Sequence, residues 1–401
     1  MPRVLLLLPT ATYRAEDFLS AAEAVGAEVF VASERRQALR GPMGDRALRV
    51  DLRRPDRAAE AVVELAERVG LDAVVAVDDG GVATAALAGE RLGLPHNPPA
   101  AVAATRDKAA MRRAFQEAGI PQPGFRVLRP GDDAGAVHLP AVLKPVALSA
   151  SRGVIRADDP AAARAAEARI RSILADAGED PDGPILAETY EPGVEVAVEA
   201  LLRGGELEVL AVFDKPDPLE GPYFEETIYV TPSRLPADHV RLVEETAEAA
   251  ARALGLREGP VHAELRLDGD HVRMLELAAR SIGGLCSRAL RFGAGISLEE
   301  VILRHALGLP LGDHVRERGA SGVMMLPIRR AGTLREVRGV DAARAVPGVS
   351  DVRITIAPGR PVVPLPEGDR YLGFAFARAE TPAEVEAALR AAHAALDVVL
   401  D

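Results

Sequence analysis

Short runs at residues 4–8, 28–32 and 73–77, apolar throughout except for Glu28, alternate with stretches at 15–25, 57–69 and 82–92 in which apolar residues return every three or four positions. The first kind predicts buried strands and the second amphipathic helices. Strands without a polar side, separated by helices, belong to a parallel sheet covered on both faces. Gly93-Leu94-Pro95 and Asn97-Pro98-Pro99 then interrupt the pattern, so a first α/β domain is expected over residues 1–100.

The next two hundred residues mix shorter strands with long helices. Thr105 predicts the N-cap of a helix over about 106–118, which Gly119-Ile120-Pro121 stops. Strands are expected at 125–128, 141–143, 185–189, 194–202 and 207–213, with helices over about 160–175 and 236–254. Residues 261–267 and 272–277 read as a hairpin around Asp268-Gly269-Asp270. From about Gly319, runs at 323–327, 352–356 and 371–377 and a helix from Pro382 suffice for a small α+β unit. The organisation expected is three domains, at 1–100, 101–318 and 319–401, in a mixed α/β and α+β multidomain chain.

Composition narrows the function. A net charge of −12 argues against nucleic acid and anionic membrane as partners. No stretch reaches the length of a transmembrane helix, and the apolar run at 4–8 is too short for a signal peptide, so a cytoplasmic protein is expected. The single cysteine, Cys286, excludes an internal disulfide and a cysteine zinc cluster, and reads as a small buried residue. Lysine is nearly absent: of 48 Lys and Arg, only Lys108, Lys144 and Lys215 are lysine. An ammonium and a guanidinium are not interchangeable on a crowded phosphate, which singles these three out.

Several nucleotide and hydrolase motifs are missing. No lysine follows a glycine as a Walker A loop requires, and G-x-G-x-x-G, H-E-x-x-H and G-x-S-x-G do not occur. Lys144 ends an apolar strand, followed by Ser149-Ala150-Ser151-Arg152-Gly153-Val154. Hydroxyls, an arginine and a permissive glycine at that place suit either a phosphate-covering loop or an ordinary turn. Glu188 and Tyr190 end a strand, and Glu195 opens the next after Pro192-Gly193.

The segment richest in chemistry runs from His262-Ala263-Glu264 to Glu276-Leu277-Ala278-Ala279-Arg280. Glu276 lies between two leucines, where an unpaired carboxylate is costly and a magnesium ion would offset the cost. Glu264 and Glu276 share a face if the hairpin loop has an odd count, such as Asp268-Gly269-Asp270, and fall on opposite faces with a two-residue turn. A solvated hairpin with a Glu–Arg ion pair is the alternative.

These pieces, in this order, resemble the ATP-grasp superfamily of carboxylate–amine ligases. Glu276-Leu-Ala-Ala-Arg280-Ser-Ile-Gly-Gly284, Ser151-Arg-Gly-Val154, Glu226-Thr-Ile-Tyr-Val-Thr-Pro-Ser233 and Tyr371-Leu-Gly-Phe374 are most similar to its L-amino-acid ligase branch, the bacilysin-type dipeptide synthetases. The resemblance implies a Rossmann-like pre-ATP-grasp domain, an ATP-grasp fold with a lid at about 125–195, and a small C-terminal α+β domain. It implies that Lys108 and Lys144 contact ATP phosphates under a loop containing Ser149, Ser151, Arg152 and Gly153. Glu188 and Tyr190 would face the adenine, and Glu195 the ribose. Glu264 and Glu276 would hold Mg2+ (or Mn2+), with Glu226 a further ligand, and Arg280 would stabilise the transferring phosphoryl group.

Two positions depart from the pattern. Ala278 stands where many ATP-grasp enzymes have a metal-binding Asn, and Tyr229 where the branch often has His. A phenol with pKa near 10 is a poor base at neutral pH. Lys215 either lines the acceptor side of the cleft or pairs at the surface with Asp214 or Asp217. Arg288 and Arg291 either receive a substrate carboxylate or face solvent. The expectation is thus an ADP-forming ligase, possibly a homodimer, that joins a small carboxylate and an amine through an acyl phosphate. A purine-biosynthesis or carboxylase-type relative and a non-catalytic ATP-binding protein are the alternatives.

Overall fold

Val4, Leu6 and Leu8 are buried in one apolar cluster with Phe18, while Leu5 and Leu7 are buried in another with Val62 and Leu65. Alternate residues of one strand therefore meet helices on both sides, as a strand with no polar face requires. In this computed structural model, which describes residues 1–10, 12–35, 46–293 and 295–401, β1 (Arg3–Leu7), β2 (Glu28–Ser33), β3 (Ala47–Arg49) and β4 (Ala73–Ala76) form a parallel sheet in the order β3-β2-β1-β4. Helices Ala15–Ala24, Pro55–Val69 and Asp79–Leu92 follow the predicted periodicity.

The region after residue 100 begins differently from the expectation. Thr105 closes a helix, Pro99–Arg106, and its hydroxyl donates back to the Val102 carbonyl. Asp107 is the N-cap of the next helix, Lys108–Glu117, and accepts from the Ala110 amide at 2.8 Å. A separate antiparallel sheet follows, of β5 (Phe125–Leu128), β6 (Ala141–Pro145), β7 (Ile155–Ala157) and β8 (Ile185–Thr189) in the order β5-β8-β6-β7. Helix Pro160–Ala177 closes its own apolar core on it.

The largest sheet has eight antiparallel strands. β9 (Val194–Arg203), β10 (Glu206–Lys215), β11 (Ile228–Thr231), β12 (Gly259–Asp268) and β13 (His271–Ala278) belong to it. So do β14 (Ala320–Leu326), β16 (Val349–Ile354) and β18 (Gly373–Ala379), in the order β13-β12-β9-β10-β11-β14-β18-β16. The C-terminal strands thus extend the central sheet, because β11 pairs with β14. Only β15 (Gly332–Arg338), β17 (Pro361–Val362) and β19 (Asp397–Leu400) form a small sheet apart from it. On β9, Val196, Val198 and Ala200 share an apolar cluster with helix Ala237–Leu254, whereas Ala197 and Leu201 belong to another that includes Ile282, Leu298 and Val301. Gly193, at φ +98°, opens this strand, and a Cβ there would lie 1.9 Å from the Leu267 carbonyl oxygen.

The hairpin of β12 and β13 solves the parity problem by another route. Asp268 pairs with His271, so the loop has two residues, Gly269 and Asp270. That turn alone would separate Glu264 and Glu276. The register shifts between Glu264 and Leu265, leaving Leu275 as the extra residue of a bulge, and Glu264 then pairs directly with Glu276. Arg112 stabilises the bulge: it donates to the carbonyls of Met274 (3.2 Å) and Leu275 (2.6 Å).

Candidate active site

A cleft of about 440 Å3 opens between the N-terminal sheet, the β5–β8 lobe and the central sheet. Lys108, Lys144, Ser149, Ser151, Glu188, Tyr190, Glu195, Glu226, Glu264, Glu276 and Arg280 all border it. Arg152 and Gly153 do not. The Arg152 Nε donates to the Glu367 carbonyl (3.0 Å) and the Gly153 amide to the Pro366 carbonyl (2.9 Å), so this end of the loop leans on the C-terminal domain. Ala150 and Ser151, at φ 58° and 53°, hold a strained left-handed turn at the rim.

At one end of the cleft Glu188 is buried between two cations. Its Oε1 accepts from Arg112 Nε and its Oε2 from Lys144 Nζ, each at 2.6 Å. Burial alone would raise its pKa, but Arg112 and Lys144 reverse this and hold it below the ordinary glutamate value. Both oxygens expected to face an adenine amino group are therefore engaged within the protein. Burial lowers the Lys144 pKa, against the pull of Glu188. Lys108 donates to the Leu148 carbonyl at 2.7 Å and lies 3.3 Å from Glu276 Oε1. The Tyr190 ring is covered by Arg156, 4.0 Å from its centroid, and by Arg266 at 5.5 Å.

At the other end, carboxylate oxygens of Glu195, Glu226 and Glu264 gather within 4.8 Å of one another. Lys215 is not at the surface. It is buried and pairs with Glu195 (2.7 Å), Glu264 (3.1 Å) and, more closely, Glu226. Register explains the row, since Lys215 on β10, Glu195 on β9 and Arg266 on β12 are direct neighbours across three strands. Arg266 takes the second Glu195 oxygen at 2.9 Å, so the residue expected at the ribose is held by two cations. Burial and the Glu264 charge raise Glu226 to about 7. Burial, with Glu226 close by, holds the Tyr229 phenol well above its usual pKa, and its hydroxyl lies 3.5 Å from Glu264.

The metal set expected from sequence is thus rearranged. Glu226 and Glu264 converge with Glu195 on an ammonium, while Glu276 leans on Lys108. Glu264 and Glu276 still stand opposite each other on one face, and their ion pairs are made through Oε1 in each. Oxygen donors alone, opposite one another at a cleft, fit a hard divalent cation such as magnesium.

Arg280 closes the cleft on the N-terminal side, where its Nε pairs with Asp79 at 2.9 Å. Asp79 begins helix Asp79–Leu92, and its carboxylate raises the Arg280 pKa despite burial. The segment after Arg280 is fixed by the fully buried Arg14, which donates to Ser281 Oγ (2.8 Å), the Ile282 carbonyl (3.1 Å) and Glu299 (2.8 Å). Sequence patterning offered no sign of Arg14, Asp79 or Arg112. It did offer one for Glu195 and Glu199, two carboxylates four apart on one face of an apolar strand. Both are buried and paired, Glu199 with His262 at 3.2 Å. Arg288 pairs with Asp17 (2.8 Å) and Arg291 with the Leu290 carbonyl, so neither borders the cleft. Cys286 is buried, and burial pushes its thiol pKa up.

Comparison with known proteins matches three stretches. Residues 19–96 match the ATP-grasp N-terminal domain, 137–289 the ATP-grasp domain, and 324–401 the L-amino acid ligase C-terminal domain 2. The chain belongs to the ATP-grasp superfamily. Its last domain carries the signature of the L-amino-acid ligase branch. It is 34% identical over 279 residues to carnosine synthase 1 of Gallus gallus, covering 64% of this chain and 30% of that protein. It is 28% identical over 269 residues to the alanine–anticapsin ligase of Bacillus subtilis (strain 168), covering 62% and 56%. The chain therefore spans about half the length, or less, of these curated relatives. The crystal structure of an L-amino acid ligase from Bacillus licheniformis shares the fold over 100% of this chain and 99% of that one, with a TM-score of 0.84 at 24% identity.

Proposed function

We propose that this ATP-grasp protein is an ADP-forming carboxylate–amine ligase that uses an amino acid as one substrate. The observation that carries this reading is the direct Glu264–Glu276 pair facing Lys108, Lys144 and Arg280 across one cleft. Two cations and a guanidinium around a carboxylate pair suit phosphoryl transfer, which needs positioning and charge neutralisation more than covalent help. A magnesium or manganese ion held by Glu264 and Glu276, with Glu226 near, would neutralise phosphate oxygens and orient the γ-phosphate of ATP.

In this reading Lys108 and Lys144 hold the phosphates, and Ser149 and Ser151 cover them. Glu188 acts by fixing Lys144, and Glu195 by fixing Lys215. An oxygen of the acid substrate attacks the γ-phosphorus as the bond to the ADP oxygen breaks, with Arg280 facing the developing charge. The nitrogen of the second substrate then attacks the acyl carbon of the acyl phosphate. The carbon–oxygen bond breaks, phosphate departs and the nitrogen's surplus proton passes to phosphate or water. Tyr229 stays protonated and serves as a hydrogen-bond donor to Glu264.

Amino-acid substrates are supported by the relatives, one of them named for joining alanine to anticapsin, and by the C-terminal L-amino acid ligase domain. A cytoplasmic setting, where ATP and free amino acids meet, belongs to the same reading; among the described residues no helix is long and apolar enough to cross a membrane. The test is phosphate release from purified protein with Mg-ATP and pooled amino acids, offered singly and in pairs. Release that requires one pair of pools is expected. ATP binding without release from any pair would overturn ligase activity in favour of a non-catalytic nucleotide-binding protein.

A further inference from the structure

A second cavity, of about 760 Å3, lies in the C-terminal domain. Its volume is within the range usual for small-molecule sites, roughly 300–1,000 Å3. Its lining adjoins that of the first cleft. Glu226, Met325 and Tyr371 face the cleft, while their chain neighbours Thr227, Met324 and Leu372 face the second cavity. Alternation along the strand explains the division at Met324 and Met325.

The lining is amphipathic. Met324, Ile328 and Leu372 are buried and give it an apolar floor, and Val398, 37% exposed, leaves more apolar surface at its edge. Its polar groups are unevenly matched. Arg390 is neutralised by Asp217 (2.5 Å) and Glu386 (2.8 Å), and Asp217 also accepts from Thr227. Arg329 and Arg330 border the same cavity, and among the described residues neither has a carboxylate within 4.0 Å. Burial, followed by the Arg329 charge, lowers the His393 pKa, so this imidazole is neutral and adds no cation of its own.

We propose that this cavity binds a small organic anion with an apolar body, its head against Arg329 and Arg330 and its body against Met324, Ile328 and Leu372. Guanidinium forks suit carboxylates and sulfonates, and an apolar floor gains from covering. The site is separate from the nucleotide cleft and does not depend on the ligase reading.

The probe is 8-anilinonaphthalene-1-sulfonate, an anion with an aromatic body whose fluorescence rises in apolar surroundings. Titrated into the full chain, it is expected to bind saturably with one molecule per chain and to be unmoved by Mg-ATP. Arg329→Glu with Arg330→Glu should weaken binding by about tenfold or more, the loss of a charged hydrogen bond. These side chains are exposed, so the melting temperature should hold. Ala394→Trp, on the cavity rim, should block the probe by filling its space. Displacement by octanoate would identify a free aliphatic acid as the ligand class, and displacement by N-acetylphenylalanine a peptide-like carboxylate. Displacement by neither, displacement by Mg-ATP, or unchanged affinity in the charge-reversed or filled variants would overturn the proposal.

Discussion

At the Lys144 end of the cleft one carboxylate, Glu188, meets two cations; at the Lys215 end three carboxylates, Glu195, Glu226 and Glu264, surround one ammonium. The first cluster is satisfied within the protein, with each Glu188 oxygen paired at 2.6 Å. In the second, Lys215, Arg266 and His262 share the three carboxylates, and burial with the nearby Glu264 charge raises Glu226 to about 7. A buried group with its partners complete locks a position, whereas an under-neutralised one attracts a further cation. Under the proposed function, the Glu188 cluster is scaffold for Lys144, and the Glu264 side is where a metal-bound substrate would add positive charge.

The largest effect should come from the carboxylate that only the substrate side uses. Glu276→Ala removes one 3.3 Å ion pair to Lys108 from a partly exposed side chain, so the fold should survive. Turnover should fall by about a thousandfold or more, since charge neutralisation on the phosphates is lost. Steady-state phosphate release alongside thermal unfolding checks both halves; wild-type rates would sink the metal assignment. Lys215→Met comes next. It leaves three carboxylates around an apolar side chain and should cost roughly 3 kcal/mol in metal-free buffer. Millimolar Mg2+ should restore part of that loss, read from urea melts with and without the ion.

Arg112→Met makes the opposite case. It strips one partner from Glu188 and frees the carbonyls of Met274 and Leu275. A loss of roughly 2–3 kcal/mol is expected, and Mg2+ should not relieve it, because the missing charge lies on the scaffold side. Relief by Mg2+ in this variant as well would erase the distinction between the two ends.

Much of this arrangement could be read from the chain, and what could not has definite causes. The rare lysines stand out because ammonium and guanidinium are not interchangeable on phosphate, and Glu276 because an unpaired carboxylate between leucines is costly. Lys108, Lys144 and Glu276 border one cleft. The pairing of Glu264 with Glu276 could not be derived from loop length, since the bulge at Leu275 depends on Arg112 more than 160 positions earlier. Asp107 and Thr105 are both good caps, and only the helix Pro99–Arg106 decides between them. Whether Lys215 lines the cleft or pairs at the surface could not be decided from sequence, because its partners lie on other segments brought together by the sheet. Hydrophobic runs located β14, β16 and β18 but not β15, β17 or β19, and β11 pairing with β14 is a long-range event that no local pattern announces.

The smallest effect sharpens the comparison by pH. His262 is buried beside Glu199 at 3.2 Å and Glu264 at 3.6 Å. Burial would lower its pKa, but hydrogen bonds and charge from these two glutamates outweigh it and raise the value to about 9. A histidine whose folded pKa lies above its unfolded value of about 6.5 stabilises the fold fully below pH ~6.5. That contribution is lost as pH rises through about 9. Its size is at most about 3 kcal/mol, one unit being about 1.36 kcal/mol. Wild-type stability in metal-free buffer should therefore decline between pH ~6.5 and ~9, and His262→Gln should flatten that decline while lowering stability at pH 6. Mg2+ should flatten it too, because a cation drawn to Glu264 weakens the carboxylate's hold on the imidazolium. An unchanged slope in His262→Gln would show that the imidazole is neutral in the folded protein and leaves the Glu264 carboxylate uncompensated on that side.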